Sequence, residues 1–212
     1  QFVAILVWAH LLDPKDIGVV TLSIAIQELC FAIFFMWWSH YALRYIKSFS
    51  TGSSRSAFLR SEYFALIVSS AMQVVCLLPF LWIYFSEYVS IWRLILLTGF
   101  MLSRSFASYL AERARAEANI FAYSIVQISV SVGGVILGLL LLYFFNKTAD
   151  SVLLGFLAAQ IFSAIFGIFL TDLGRVRGLG DRSTLSSAIK FGVPVMGASM
   201  LSLVSLNAPR FI

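Results

Sequence analysis

Three ionisable residues lie inside long apolar segments of this 212-residue chain, and these residues are the strongest candidates for chemistry: Glu28, Arg104 and Arg210. Placing a charge within a bilayer is costly, so an ionisable group in such a segment is a functional candidate by default. The chain shows no Ser/His/Asp set, paired carboxylates, CxxC motif or His-rich cluster. We therefore expect binding of a charged ligand or ion, with no catalytic set, metal site or cofactor.

Two of these residues each have two interpretations. Glu28 lies about ten residues, or ~15 Å, from the end of its segment. It is either a functional carboxyl or a protonated side chain that hydrogen-bonds a neighbouring helix. Arg104 either lines a cavity for an anionic headgroup, beside Ser105 and Ser108, or extends its charge towards the membrane surface.

The segments that hold these residues are typical of a membrane protein. Hydrophobic residues make up 60% of the chain, charged residues 12%, and the mean hydropathy is +0.93, whereas a soluble domain has roughly 25% charged residues. A bilayer requires about 20 apolar residues per helix, and seven segments qualify or nearly qualify: 1–12, 17–45, 63–85, 89–110, 119–145, 152–171 and 191–212. We predict an all-α polytopic bundle, with a mobile Ser/Gly-rich loop at 48–56 and an interfacial helical turn at 185–190.

Basic residues favour one side of this predicted bundle. Ten lie in the breaks after the second, fourth and sixth spans: Arg44, Lys47, Arg55, Arg60, Arg113, Arg115, Arg175, Arg177, Arg182 and Lys190. Three lie in the other breaks: Lys15, Arg93 and Lys147. Because short cytoplasmic loops carry an excess of Lys and Arg, the amino end is predicted to be cytoplasmic. The charge favours anionic inner-leaflet lipid over nucleic acid, since no basic run alternates with aromatic residues.

Small and polar residues mark helix faces that pack together or line a cavity. The fifth span has one such predicted face, formed by Ser124, Gln127, Ser131, Gly134 and Gly138. The sixth span repeats small residues every four positions, at Gly155, Ala159, Ser163 and Gly167. The third span contributes Ser69, Ser70 and Gln73. Helix packing and a substrate-lining surface are both open, and Gln127 and Gln73 are the candidates for the latter.

Four short motifs lie at residues 11–18, 38–45, 190–194 and 206–211. Together they resemble motifs of bacterial polysaccharide flippases of the multidrug/oligosaccharidyl-lipid/polysaccharide exporter superfamily. Residues 11–18 (LLDPKDIG) resemble the L-x-P-x-x-x-G turn between the first two helices of these proteins. Residues 38–45 (WSHYALRY) are similar to the end of their second helix, and residues 190–194 (KFGVP) to the G-x-P opening of their seventh. Residues 206–211 (LNAPRF) resemble the N-x-P-R-[YF] run of the O-antigen and capsule branch.

The resemblance implies a transporter of twelve to fourteen helices in two lobes, located in the bacterial cytoplasmic membrane. Residues 1–190 would form the first lobe and residues 191–212 the start of the second, in a fragment truncated at both ends. Such proteins move undecaprenyl-diphosphate-linked oligosaccharides to the outer leaflet, some with a H⁺ or Na⁺ gradient. On this resemblance Arg104 and Arg210 contact the diphosphate, and Glu28 is the ion-coupling carboxyl.

One position departs from the family pattern. The family often carries Arg before the L-x-P-x-x-x-G turn, where this chain has His10. Because His titrates near neutral pH, His10 either responds to the pH outside, as an ion-coupling group, or faces lipid headgroups.

Four other classes compete with this interpretation, and the predicted cytoplasmic amino end opposes one of them, a seven-helix receptor. A multidrug antiporter of the same superfamily would have a more apolar and acidic cavity, which Arg104 and Arg210 oppose. A peptidoglycan-precursor flippase shares the basic cavity, and the L-x-P-x-x-x-G and P-R-F motifs oppose it. A membrane glycan polymerase or ligase usually presents catalytic residues on a large outer loop, whereas the predicted outer breaks here are short.

Overall fold

The computed structural model describes residues 2–49, 52–85, 90–171, 173, 175 and 178–207, and these residues form helices with short connections. Within these ranges there is no strand, and the α-helices are α1 (Phe2–Leu11), α2 (Pro14–Phe34), α3 (Met36–Tyr45), α4 (Gly52–Phe85), α5 (Ile91–Ala116), α6 (Ile120–Ile128), α7 (Gly134–Phe144), α8 (Ala149–Leu170) and α9 (Arg182–Asn207). A 3₁₀ turn, Ile46–Ser48, follows α3, and a π-helical segment, Ser129–Gly133, joins α6 to α7.

Five helical segments are long and apolar enough to cross a membrane: Pro14–Phe34, Gly52–Pro79, Ile91–Ala116, Ile120–Phe144 and Ala149–Leu170. Large apolar side chains such as Ile91, Tyr143 and Phe169 are exposed on the bundle surface. So extensive an apolar surface is unusual in soluble proteins and fits contact with lipid. These features agree with the predicted all-α multi-pass membrane protein. The predicted seventh span continues past Asn207 into residues outside the described ranges.

The second predicted span, residues 17–45, is divided into two helices. α2 ends at Phe34 and α3 begins at Met36, and Phe35 lies between them with φ of −110°. The Phe35 backbone N–H still donates to the Phe31 carbonyl at 2.9 Å, so the helical hydrogen bonding continues across the break. The buried Trp38 and Tyr41 of α3 then pack into the core.

The third span begins earlier than the sequence predicted, because α4 starts at Gly52 rather than at residue 63. The prediction of a mobile loop at 48–56 was therefore wrong for residues 52–56. Arg55 in the first turns of α4 donates from Nη2 to Glu117 Oε1 at 2.7 Å, which ties this end of α4 to the end of α5. A polar helix extension stabilised by such a contact gives no hydrophobic signal in the sequence.

α9 also starts earlier than predicted, at Arg182, so the predicted separate turn at 185–190 is part of this helix. Asp181 caps the helix by accepting hydrogen bonds from the Thr184 N–H and hydroxyl, each at 2.9 Å. Hydrogen bonds from Ser183 and Thr184 lower the pKa of Asp181 to about 2. Further along, α9 packs against α3, where a Cβ added to Gly192 would lie 2.0 Å from the carbonyl oxygen of Trp37.

α5 is the centre of the bundle, because α2, α3, α4, α6 and α8 all pack against it. Its buried apolar residues include Leu97, Phe100 and Met101. Buried polar residues also occur along it, at Ser105 and Arg113. α5 therefore brings polar side chains into contact with several neighbouring helices at once.

α7 and α8 cross at very short range. A Cβ added to Gly155 would lie 2.4 Å from the backbone nitrogen of Gly138, and one added to Gly134 would lie 2.3 Å from the Phe156 ring. Nearby, the Ser163 hydroxyl donates to the Val126 carbonyl at 3.1 Å. The small residues of the sixth predicted span thus form a packing face, since helices in lipid associate by close backbone approach.

Gly155→Ala should lower the stability of the protein by about 1–3 kcal/mol, because the added methyl group meets backbone atoms that cannot rotate away. Thermal unfolding of the detergent-solubilised full chain measures this effect. Gly18→Ala in α2 is the matched control, since a Cβ there meets nothing within 4 Å. Equal melting temperatures for the two variants would contradict the close crossing.

Candidate functional site

Three consecutive polar residues near the middle of α5 point in three directions, because successive side chains on a helix are about 100° apart. Arg104 is thirteen residues from Ile91, at the centre of the 26-residue helix. The Ser103 hydroxyl donates to Gln160 Oε1 of α8 at 2.7 Å. The other two residues, Arg104 and Ser105, contact α2 and α4 instead.

Gln27 of α2 joins Arg104 and Ser105 by hydrogen bonds. Its Oε1 accepts a hydrogen bond from Arg104 Nε at 2.7 Å, and its Nε2 donates to Ser105 Oγ at 3.3 Å. Gln73 Nε2 of α4 donates to the same Ser105 oxygen at 3.3 Å. This set, termed the polar layer below, connects α2, α4, α5 and α8 in the interior of the bundle and comprises Gln27, Gln73, Ser103, Arg104, Ser105 and Gln160.

The polar layer retains unused hydrogen-bonding capacity. Gln73 Oε1 and Gln160 Nε2 are buried and have no hydrogen-bond partner among the described residues. Buried polar atoms in proteins are nearly always paired with protein atoms, water or ions. The layer therefore contains one acceptor and one donor that no described protein atom satisfies.

Arg104 is the cationic group of the layer, and one edge of its guanidinium is hydrogen-bonded to Gln27. Nε is engaged by Gln27, whereas the two terminal nitrogens make no hydrogen bond with any described residue. The side chain is half-buried, and Glu28 is near enough to interact with it electrostatically. A planar guanidinium with two free donor groups matches the paired oxygens of a phosphate or carboxylate.

The structure brings only some of the predicted site residues together. Arg104 and Gln73 meet in the polar layer, and Glu28 lies close to Arg104. His10 is exposed at the end of α1. Arg210 lies outside the described residues.

Gln127 is exposed on α6 and does not join the polar layer through any described hydrogen bond. The predicted shared face of the fifth span is not continuous: Ser131 is exposed, whereas Gly134 and Gly138 are buried. The π-helical segment Ser129–Gly133 lies between Gln127 and these glycines. Its wider turn changes the angular offset between residues before and after it, so regular α-helical spacing does not apply across it.

A second buried cluster, which the sequence did not predict, lies towards the basic end of α5. Arg113 Nε donates to Glu62 Oε1 at 2.7 Å, and both side chains are fully buried. Tyr109 donates its hydroxyl proton to the same carboxylate oxygen and accepts from Trp38 Nε1 at 3.1 Å. Arg113 Nη1 also reaches Glu117 Oε2 at 3.3 Å. The prediction that Arg113 lies in the break after the fourth span was therefore wrong, because α5 extends to Ala116 and buries this side chain.

The described residues contain no group of three or more His, Cys, Asp or Glu side chains placed to hold a metal ion. No known protein family matches the chain, and no curated protein or solved structure is significantly similar to it. The flippase resemblance thus rests on the sequence motifs alone, and the geometry of the polar layer is independent of it.

Proposed function

We propose that the protein is a flippase that moves diphosphate-linked oligosaccharide lipids from the inner to the outer leaflet of a bacterial cytoplasmic membrane. The observation that supports this proposal is Arg104 at mid-span, fixed by Gln27 at 2.7 Å with its terminal nitrogens uncommitted to described residues. A diphosphate-sugar headgroup cannot cross hydrocarbon unaided, since unsolvated charge is costly there. A fixed guanidinium inside the bundle supplies an anion contact halfway across.

The polar layer complements the guanidinium on this proposal. The side-chain amides of Gln73 and Gln160 have an unpaired acceptor and an unpaired donor, respectively, that sugar hydroxyls match. Alternating access around a fixed midplane site is the general mechanism of secondary transporters. In this arrangement Arg104 holds the diphosphate while the adjoining amides contact the first sugar.

The proposed orientation places the amino end in the cytoplasm. Ten basic residues lie in the predicted inner breaks and three in the outer ones. One of the three, Arg93, is further neutralised by a bidentate contact with Asp150, with Nε to Oδ1 and Nη2 to Oδ2 both at 3.0 Å. Most basic residues therefore lie on the predicted cytoplasmic side, with Arg44, Arg60 and Arg115.

Reconstitution of the full chain into vesicles tests the proposal directly. A fluorescent undecaprenyl-diphosphate oligosaccharide is added to both leaflets, and the fraction accessible to an external quencher is followed with time. We expect protein-dependent exchange of this lipid. Export of apolar cationic dyes in its place would identify a multidrug antiporter and contradict the proposal.

Glu28→Gln should slow this exchange and change its dependence on a H⁺ or Na⁺ gradient, because the substitution removes the carboxylate beside Arg104 and retains its shape. The measurement compares the rate with and without each imposed gradient. Leu29→Ala, at the exposed neighbouring position of α2, is the control and should behave as the wild type. An unchanged response to ions in Glu28→Gln would assign Glu28 to helix packing.

A further inference from the structure

A groove of about 520 Å³ lies on the bundle surface between α4, α5 and α8. Its walls are largely apolar and include Ile67, Phe106 and Ile168. Phe106 is about 200° around α5 from Arg104, so the groove opens on the opposite side of this helix from the Arg104–Gln27 contact. It is a feature separate from the polar layer.

One end of the groove is basic. Arg175, just after α8, lines it together with Tyr63, and Arg60 lies one turn before Tyr63 on α4. The Arg60 side chain approaches the segment after α8, because a Cβ added to Gly178 would lie 3.3 Å from Arg60 Cδ. Asp181 is the acidic group that interacts with Arg60. The exposed Arg175 therefore lines the groove at its basic end, and the exposed Arg60 lies one helical turn from the lining residue Tyr63.

We propose that this groove binds an anionic phospholipid of the cytoplasmic leaflet, with an acyl chain along the apolar wall and the phosphate at Arg60 and Arg175. Basic pockets between transmembrane helices on the cytoplasmic side characteristically hold anionic headgroups. The half-buried Ser70 lines the groove deeper in the membrane, where the acyl chain would pass. The inference uses the proposed membrane orientation but does not depend on flippase activity.

The chain offers a matched control for this site. A second groove, of about 540 Å³, is lined by Leu11, Tyr143 and other apolar residues, with Lys147 as its basic residue. It lies at the ends of α1 and α7, on the other predicted side of the membrane. The two grooves are similar in size, but this one has a single lysine in place of the arginines. Comparing variants of the two grooves therefore distinguishes lipid binding that depends on an apolar groove alone from binding that depends on the arginines.

Native mass spectrometry of the purified full chain tests the site. The probes are phosphatidylglycerol and phosphatidylcholine with identical acyl chains, titrated into detergent-solubilised protein. We expect preferential retention of phosphatidylglycerol, and about a fivefold loss of its affinity in Arg60→Gln and again in Arg175→Gln. Lys147→Gln should retain wild-type affinity, and Ser70→Phe should weaken binding of both lipids by filling the groove.

Several results would overturn the site. Equal retention of both lipids, or wild-type affinity in both arginine variants, would show that Arg60 and Arg175 do not bind the phosphate of the headgroup. Wild-type binding of both lipids in Ser70→Phe would show that the acyl chain does not lie in the groove. Displacement of phosphatidylglycerol by equimolar undecaprenyl phosphate would assign the groove to the transported lipid instead. The measurement involves no transport, so its failure is distinguishable from failure of the proposed flippase activity.

Discussion

Replacing Arg104 with alanine should reduce flipping of the diphosphate-linked lipid by on the order of a hundredfold or more, while the protein still inserts and folds. Each hydrogen bond between a guanidinium and a charged oxygen contributes about 1.5–3 kcal/mol, and the variant loses two of them at the diphosphate. The vesicle exchange rate and the amount of surface polysaccharide in cells measure the effect. On the motif resemblance alone, Arg210→Ala should give the same loss.

Two variants make this result interpretable. Arg93→Ala removes another arginine of α5, but one that is already paired with Asp150 at 3.0 Å, so transport should remain close to wild type. Arg104→Lys keeps the charge and loses the planar fork, so it should retain partial activity. Wild-type export in Arg104→Ala, at normal expression, would show that Arg104 does not contact the diphosphate.

Arg113→Ala should cause the largest loss of stability, about 3–5 kcal/mol, because it leaves the buried carboxylate of Glu62 without its cation. The Tyr109 hydroxyl alone does not compensate an ionised group at this depth. The temperature at which the detergent-solubilised chain loses its monodisperse peak measures the effect. Arg115→Ala is the matched control on the same helix, since Arg115 is exposed and its ion pair with Glu112 lies at the surface.

A paired substitution separates loss of the ion pair from loss of volume. Glu62→Met combined with Arg113→Met replaces both charges with flexible apolar groups, and such replacements are often close to neutral. We therefore expect the double variant to be more stable than Arg113→Ala alone. The opposite order would show that the ion pair and its hydrogen bonds, rather than the volume of the two side chains, hold α4 against α5.

The sequence predicts the parts of the fold that depend on local pattern. Apolar runs of sufficient length identified the membrane helices, and small residues every four positions identified the face on which Gly155 meets Gly138. It placed the start of α4 incorrectly, because residues 52–62 are too polar to resemble a span. Their helix is stabilised by partners distant in sequence, such as Glu117 for Arg55.

The candidate site was predicted only in part, for a related reason. Arg104 could be selected from the sequence because it is a charged residue within an apolar segment. Nothing in the sequence predicts its hydrogen bond with Gln27, which is 77 positions away. Ser103 and Gln160 were not selected, although three adjacent polar residues in α5 are a signal for contacts on three sides. The π-helical segment was also invisible to regular spacing, and it separates Gln127 from the buried glycines of α7.

The most direct test of the anion site at Arg104 is binding of the diphosphate-linked lipid to the purified full chain, compared with undecaprenol of the same chain length. We expect that only the diphosphate form binds, that Arg104→Ala raises its dissociation constant on the order of a hundredfold, and that Arg93→Ala leaves it unchanged. Equal binding of the charged and neutral lipids, or unaltered affinity in Arg104→Ala, would contradict an anion site at the centre of α5.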